Sequence, residues 1–185
     1  MTQILAQNVL QIGTTGMLRG AGQWLAERSR QTTILSRQPE LFCEDLITSG
    51  HKAAPCSCDY KDPDDLLKVI SKLNESVPPF DYLLAWIHGD AAQVLTSLRP
   101  LLSPQKSQVI RVVGSSFCDP DHKLPFSNLP DQVKRQIVVL GFVAEVNGSR
   151  WLSHEEINKG VIQAMSSPNQ EKTIIGQISP WSERP

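Results

Sequence analysis

The chain has 185 residues, enough for one well-buried core and too few for two ordinary domains. Apolar residues make up 40% of it and charged residues 20%, the balance of a globular protein and not of a disordered or fibrous one. With a formal net charge of −1 and basic residues scattered along the chain, there is no electrostatic footprint for nucleic acid or for an acidic membrane surface.

Met1 to Gln11 lacks the basic start, long apolar run and small-residue cleavage site of a signal peptide, and no stretch approaches the length of a membrane span, so a cytoplasmic protein is expected. Asn8 to Ile12 reads as a first strand. Gly13 to Gly16 is a turn, and Met17 to Arg28 a helix with Met17, Ala21, Trp24 and Leu25 at helical spacing. Thr32 to Leu35 is a second strand, Pro39 to Thr48 a second helix and Lys52 to Cys58 a weaker third strand. Asp62-Pro63-Asp64-Asp65 then supplies an N-cap, a proline at the first helical position and acids in the first turn of a third helix, which Leu66, Leu67, Val69, Ile70 and Leu73 continue.

Pro78-Pro79 breaks the chain before a fourth strand, Tyr82 to Ile87, and Asp90 to Leu98 is a fourth helix ending near Pro100. Val109 to Val113 is a fifth strand. Ser115 to Gln132 holds three prolines and no period, which predicts an irregular loop with at most one helical turn. Ile137 to Val143 is a sixth strand. Ser153-His154-Glu155-Glu156 is a capping box, with Leu152 placed to staple against Ile157, and it opens a last helix to about Met165. The tail, residues 166–185, is apolar from Ile174 to Trp181, which suits packing on the sheet edge or on a second subunit of a homo-oligomer. Strands alternating with helices in this way predict a Rossmann-type doubly wound α/β fold, with a mostly parallel sheet of about six strands and helices on both faces.

Four cysteines stand at positions 43, 56, 58 and 118, with no C-x-x-C among them, and free thiols are expected. A metal at Cys56 and Cys58 needs two further ligands, and His51 is the only nearby candidate; a half-buried strand is the simpler reading.

The chemistry concentrates where the first strand meets its helix, at Gly13-Thr14-Thr15-Gly16-Met17-Leu18. A diphosphate needs unblocked backbone N–H groups at a helix N-terminus, where the dipole favours negative charge, and glycines let the backbone come close. Gly13 and Gly16 meet that need, and Thr14 and Thr15 add hydroxyl donors. Gly20 and Gly22 inside the helix, each costing about 1 kcal/mol relative to alanine, point to tight packing on a strand or ligand. The second strand ends at Leu35-Ser36-Arg37, about 20 residues past the turn, where an NAD site places an acid for the ribose hydroxyls. Here Ser36 can donate to a 2′-phosphate, and Arg37 can pair with it and stack on adenine, a chemistry that favours NADP(H). A methyl-donor site fits less well, because it too wants an acid at that position.

These residues resemble the short-chain dehydrogenase/reductase superfamily, in its atypical branch with a G-x-x-G turn, over roughly Asn8 to Ser116 and more loosely to Met165. The resemblance implies an adenine contact from Asp59, with Tyr60 beside it. It also implies that Ser115, in Gly114-Ser115-Ser116 after the fifth strand, polarises a substrate carbonyl. Where the family carries Asn-Ala-Gly beside the cofactor, this chain has Ala85-Trp86-Ile87-His88-Gly89, which leaves Trp86 and Ile87 to line that part of the site. The family's Tyr-x-x-x-Lys proton relay is absent: the two tyrosines are Tyr60 and Tyr82, and neither has a lysine four residues on. His88, at the carboxyl end of the fourth strand, is the leading substitute donor, with Cys118 and His122 behind it. The residues imply an NADP(H)-dependent oxidoreductase acting on a small carbonyl substrate with a non-standard proton donor. The alternative is a non-catalytic protein that senses or holds the dinucleotide.

Overall fold

The computed structural model of the chain describes residues 3–118 and 129–185. In chain order the elements are β1 (Ala6–Ile12), α1 (Arg19–Ala26), β2 (Ser29–Ser36), α2 (Glu40–Thr48), β3 (Ala53–Ser57), α3 (Pro63–Ser76), β4 (Tyr82–Trp86) and α4 (Ala91–Leu98). They continue with β5 (Gln108–Gly114), β6 (Lys134–Leu140), β7 (Phe142–Glu145), β8 (Gly148–Trp151), α5 (His154–Met165) and β9 (Lys172–Ile175). Seven strands pair in parallel in the order β3-β2-β1-β4-β5-β6-β9, a Rossmann-type doubly wound sheet with one strand more than the sequence pattern predicts. The added strand is β9, drawn from the tail. Its Ile174 lies in register with Val139 and its Ile175 with Leu140.

The central strands are buried on both faces because helices cover both, and their sequences are correspondingly mostly apolar, with Gln11, Thr33 and Arg111 among the buried polar exceptions. Leu10, Ile12, Leu83, Ala85 and Val109 meet Leu66, Ile70 and Leu73 of α3 and Val94, Leu95 and Leu98 of α4 on one face. Val9, Leu84, Ile110, Val112 and Val138 meet Ala21 and Leu25 of α1 and Ile157, Val161 and Ala164 of α5 on the other. Phe42, Cys43 and Leu46 of α2 pack beside α1 through Ala26 and Ile34. No helix among the described residues is long and apolar enough to cross a membrane.

Helix starts follow the sequence signals closely where a side chain caps. Asp62 accepts from the amides of Asp64 and Asp65 ahead of Pro63, and Ser153 and Glu156 form the reciprocal capping box. α1 has no side-chain cap from its own N-terminal residues and begins at Arg19, two positions later than the apolar period predicts, because residues 13–18 form turns instead.

The predicted sixth strand is two strands. Its run breaks at Gly141, whose amide donates to the Ile175 carbonyl, and Phe142 leaves the parallel sheet to pair with Gln177 in both directions, at 2.8 and 2.7 Å. β7 and β8 then form an antiparallel hairpin around Val146-Asn147-Gly148. An Asn-Gly pair between strand-forming residues is a strong hairpin signal, and periodicity alone passed over it.

The last crossover differs in hand from the first. β1–α1–β2 steps one way along the sheet and β6–α5–β9 steps the other, yet α1 and α5 lie on the same face. The two crossovers are therefore of opposite hand, although parallel crossovers are right-handed in about 98% of cases. α5 thus lies beside the start of α1.

Candidate functional site

The carboxyl ends of β1 to β4 open onto a groove with a volume of about 1100 Å³, above the range of roughly 300–1,000 Å³ common for small-molecule sites. Its floor is the turn after β1. Gly13 has φ +74, and a Cβ there would run into the carbonyl oxygen of Trp86 on the neighbouring strand. Only glycine accepts both conditions. Farther along, a Cβ on Gly22 would stand 2.9 Å from the Thr14 Cβ and 2.5 Å from Oε1 of buried Gln11. Gln11 Nε2 donates to the Gly22 carbonyl at 2.9 Å, so the helix lies directly on β1. The amides of Thr15, Gly16 and Met17, all lining the groove, donate to no acceptor among the described residues. A Cβ on Gly16 would meet nothing within 4 Å. Open amides at the start of a helix, beside a backbone that a ligand can approach, fit a diphosphate.

At the end of β2, Ser36 and Arg37 both line the groove, and the Ser36 hydroxyl accepts from the Gln38 amide at 3.2 Å. A second guanidinium lines the groove. Arg19, at the first position of α1, pairs with Asp45 of α2 and lies 4.6 Å from the centre of the Phe42 ring while lining the same groove. The sequence pattern did not single out Arg19, because its place in the groove depends on how α2 packs.

After β3, Asp59 and Tyr60 line the groove as well; the Asp59 amide donates to Asp65 of α3 at 2.8 Å, which holds the loop at the helix start. The thiol of Cys58, just below, is pushed up to about 12 by burial and by the Asp65 carboxylate. It is inert core.

Trp86 and His88 line the groove at the end of β4. The indole N–H of Trp86 donates to His88 Nε2 at 2.9 Å, with the rings 5.1 Å apart and edge to face, and the His88 amide donates to the Tyr60 hydroxyl at 3.3 Å. An imidazole nitrogen that accepts carries no proton, so this pattern assigns the His88 proton to Nδ1. To act as an acid from the imidazolium, His88 must first give up its bond to Trp86.

Several side chains do not stand where the sequence placed them. Thr14 and Leu18 are fully buried, and the Thr14 hydroxyl has no partner among the described residues; the turn's backbone faces the groove while these side chains face the core. Ile87 packs, half-buried, against the α3–α4 core. Ser115 is buried in a short helical turn after β5, and Ser116 is the exposed serine. A Cβ on Gly114 would lie 4.0 Å from both Ser116 Oγ and Trp86 Cη2, so this hydroxyl and the indole flank the end of β5 together. Cys118 closes that turn, and His122 lies outside the described residues.

Solved structures that share this architecture include a short-chain type dehydrogenase/reductase from Mycobacterium marinum, 14% identical over 94% of this chain and 95% of that one, with a TM-score of 0.68. The fold is that of the short-chain dehydrogenases/reductases. A gluconate 5-dehydrogenase from Burkholderia cenocepacia, in complex with NADP and tartrate, shares it at 11% identity, 94% and 95% coverage and a TM-score of 0.67. An NADH-dependent reductase responsible for alginate metabolism does so at 15%, 94% and 98%, with a TM-score of 0.66. No protein-family model and no curated protein sequence matches the chain.

Against the short-chain dehydrogenase/reductase pattern, neither tyrosine sits where a proton relay would need it. Tyr60 belongs to the loop after β3. Tyr82 is buried in β4, its hydroxyl without a partner among the described residues, and burial pushes its phenol well above the ordinary range.

Proposed function

We propose that this chain binds NADP(H) in the groove and works as an oxidoreductase on a small carbonyl substrate, with a proton donor other than a tyrosine–lysine pair. The observation that carries the cofactor choice is Ser36 and Arg37 lining the groove at the end of β2, with no acid following β2 before Glu40. The Arg37 guanidinium and the Ser36 hydroxyl suit a 2′-phosphate, and the ribose hydroxyls of NAD(H) find no carboxylate at the strand end. The open amides of Thr15, Gly16 and Met17 would hold the diphosphate, and Asp59 and Tyr60 border the space for the adenine end.

Bound NADPH supplies hydride, so the chain must orient the acceptor carbonyl and deliver the proton. Ser116 takes the carbonyl-polarising role expected of Ser115, since it is the exposed serine at the end of β5. His88 is the proton donor of this reading, which requires the Trp86 bond to open as the imidazole is charged. The neighbours in fold that are named as dehydrogenases and reductases support the class of reaction.

Calorimetric titration with NADPH and NADH tests the cofactor. NADPH is expected to bind at least tenfold more tightly, and Arg37→Glu to remove that preference; equal loss for NADH and NADPH would mean the phosphate contact is misplaced. His88→Asn is expected to abolish NADPH oxidation with binding intact, and unchanged turnover would remove His88 from the mechanism.

A second reading, in which the protein holds or senses NADP(H) without turnover, is favoured by the Trp86–His88 bond and by the burial of Tyr82. It requires tight NADPH binding with no NADPH oxidation against a broad carbonyl panel. Specific, stoichiometric turnover would exclude it.

A further inference from the structure

Asn158 stands on α5, 141 positions along the chain from Met17, yet it is bonded to the glycine turn. Its Oδ1 accepts from the Ala21 amide at 2.6 Å, and its Nδ2 donates to the Met17 carbonyl at 2.9 Å and to the His154 carbonyl at 2.5 Å. Gly20 leaves room for this contact: a Cβ there would be 3.1 Å from the Asn158 carboxamide.

α1 has no cap from its own N-terminal residues, so a residue from another helix satisfies one of its first N–H groups. The same side chain holds the Met17 carbonyl, two residues before the helix. The turn at residues 15–17 therefore has one end fixed by Gly13 under Trp86 and the other by Asn158.

We infer that Asn158 is a positioning residue for diphosphate binding, acting through the shape of the turn and not by contact with the ligand. This rests on the reading of the groove as a dinucleotide site. Asn158 occupies the Ala21 amide, which directs a phosphate toward the amides of Thr15, Gly16 and Met17. By donating to Met17 it also turns that carbonyl, a group that repels phosphate, toward α5. Both effects concern the diphosphate and leave the 2′-phosphate end at Ser36 and Arg37 untouched.

The test titrates wild type, Asn158→Ala and Asn158→Asp with NADPH and with 2′-phosphoadenosine, which carries the adenine and the 2′-phosphate but no diphosphate. Asn158→Ala is expected to weaken NADPH by about tenfold, the effect of losing one helix cap, with 2′-phosphoadenosine unchanged. Asn158→Asp keeps an acceptor for Ala21 and places a negative charge that suits a helix start, so α1 stays capped. It is nevertheless expected to weaken NADPH more than alanine does, since its carboxylate repels the Met17 carbonyl that asparagine held and so turns it toward the diphosphate. A merely structural role predicts the reverse order, with aspartate the milder change, or a parallel loss for both ligands. Either result overturns the inference, as does unchanged NADPH affinity in both variants beside a wild type that binds tightly. A wild type that binds 2′-phosphoadenosine and NADPH equally weakly overturns the diphosphate reading itself, and the inference with it.

Discussion

Gly13 shows how a single position joins fold to site. Its backbone is left-handed at φ +74, and its missing Cβ leaves space for the Trp86 carbonyl on β4. Alanine there must adopt an unfavourable conformation and push apart two adjacent strands at the same time. Gly13→Ala is expected to destabilise the protein by about 2–4 kcal/mol, from the left-handed conformation and the overpacking together, measured as a shift in the urea midpoint. A shift under 0.5 kcal/mol would mean that the turn relaxes freely. Positions like this are legible in a sequence because the constraint is on the residue's own backbone. Arg37 is legible for a related reason: its charge stands where the strand end already fixes it. Arg19 and Asn158 are not, since each matters through a partner on another helix. Ser115 and Ser116 differ only in which way a short turn points them, and no local pattern distinguishes two adjacent serines.

At the scale of elements, sequence signals held wherever a side chain caps or a proline stops the chain, as at Asp62-Pro63 and Ser153. They failed where tertiary pairing decides. Gly141 ends β6 because the backbone of residues 175–177 closes on it, and β9 is a strand because β6 offers it an edge. The hairpin between them is tied to α5 by Arg150, which donates to Glu145 at 2.8 Å and to both oxygens of Glu156 at 2.8 and 2.9 Å. These bonds, with the Ser153 amide, hold the Glu156 carboxyl down to about 2 from its ordinary 4.5. A carboxylate whose acidity is strengthened by folding stabilises the fold above its unfolded value, and that contribution is lost as the pH falls through the folded one. Arg150→Ala is therefore expected to melt lower than wild type at neutral pH, and the gap to close between about 4.5 and about 2. Because the side chains are exposed and screened, the gap is expected to be only about 1–3 °C. A gap independent of pH would assign the effect to lost packing of the arginine stem.

Across the whole molecule, the opposite-handed return of the chain decides what lies next to the glycine turn. Had the β6–α5–β9 crossover followed the usual hand, α5 would cover the face of α3 and α4, and no residue from it could reach α1. As built, α1 and α5 pack through Ala21, Leu25, Ile157 and Val161, and Asn158 ties that packing to the turn. Binding to the folded state alone stabilises it by about 2.7 kcal/mol when the ligand stands at a hundred times its dissociation constant. Local opening is suppressed most in elements that the ligand's contacts hold in place. NADPH is thus expected to slow hydrogen exchange at residues 13–21, which it would touch. It is also expected to slow exchange at 154–162 in α5, whose first half the Asn158 bonds join to the turn. α3 lies on the opposite face and borders the groove only through the loop before it, so its exchange is expected to change little beyond Asp65. Protection confined to the turn, with α5 exchanging as it does without NADPH, would show that the two helices open independently and that the C-terminal elements serve the sheet edge alone.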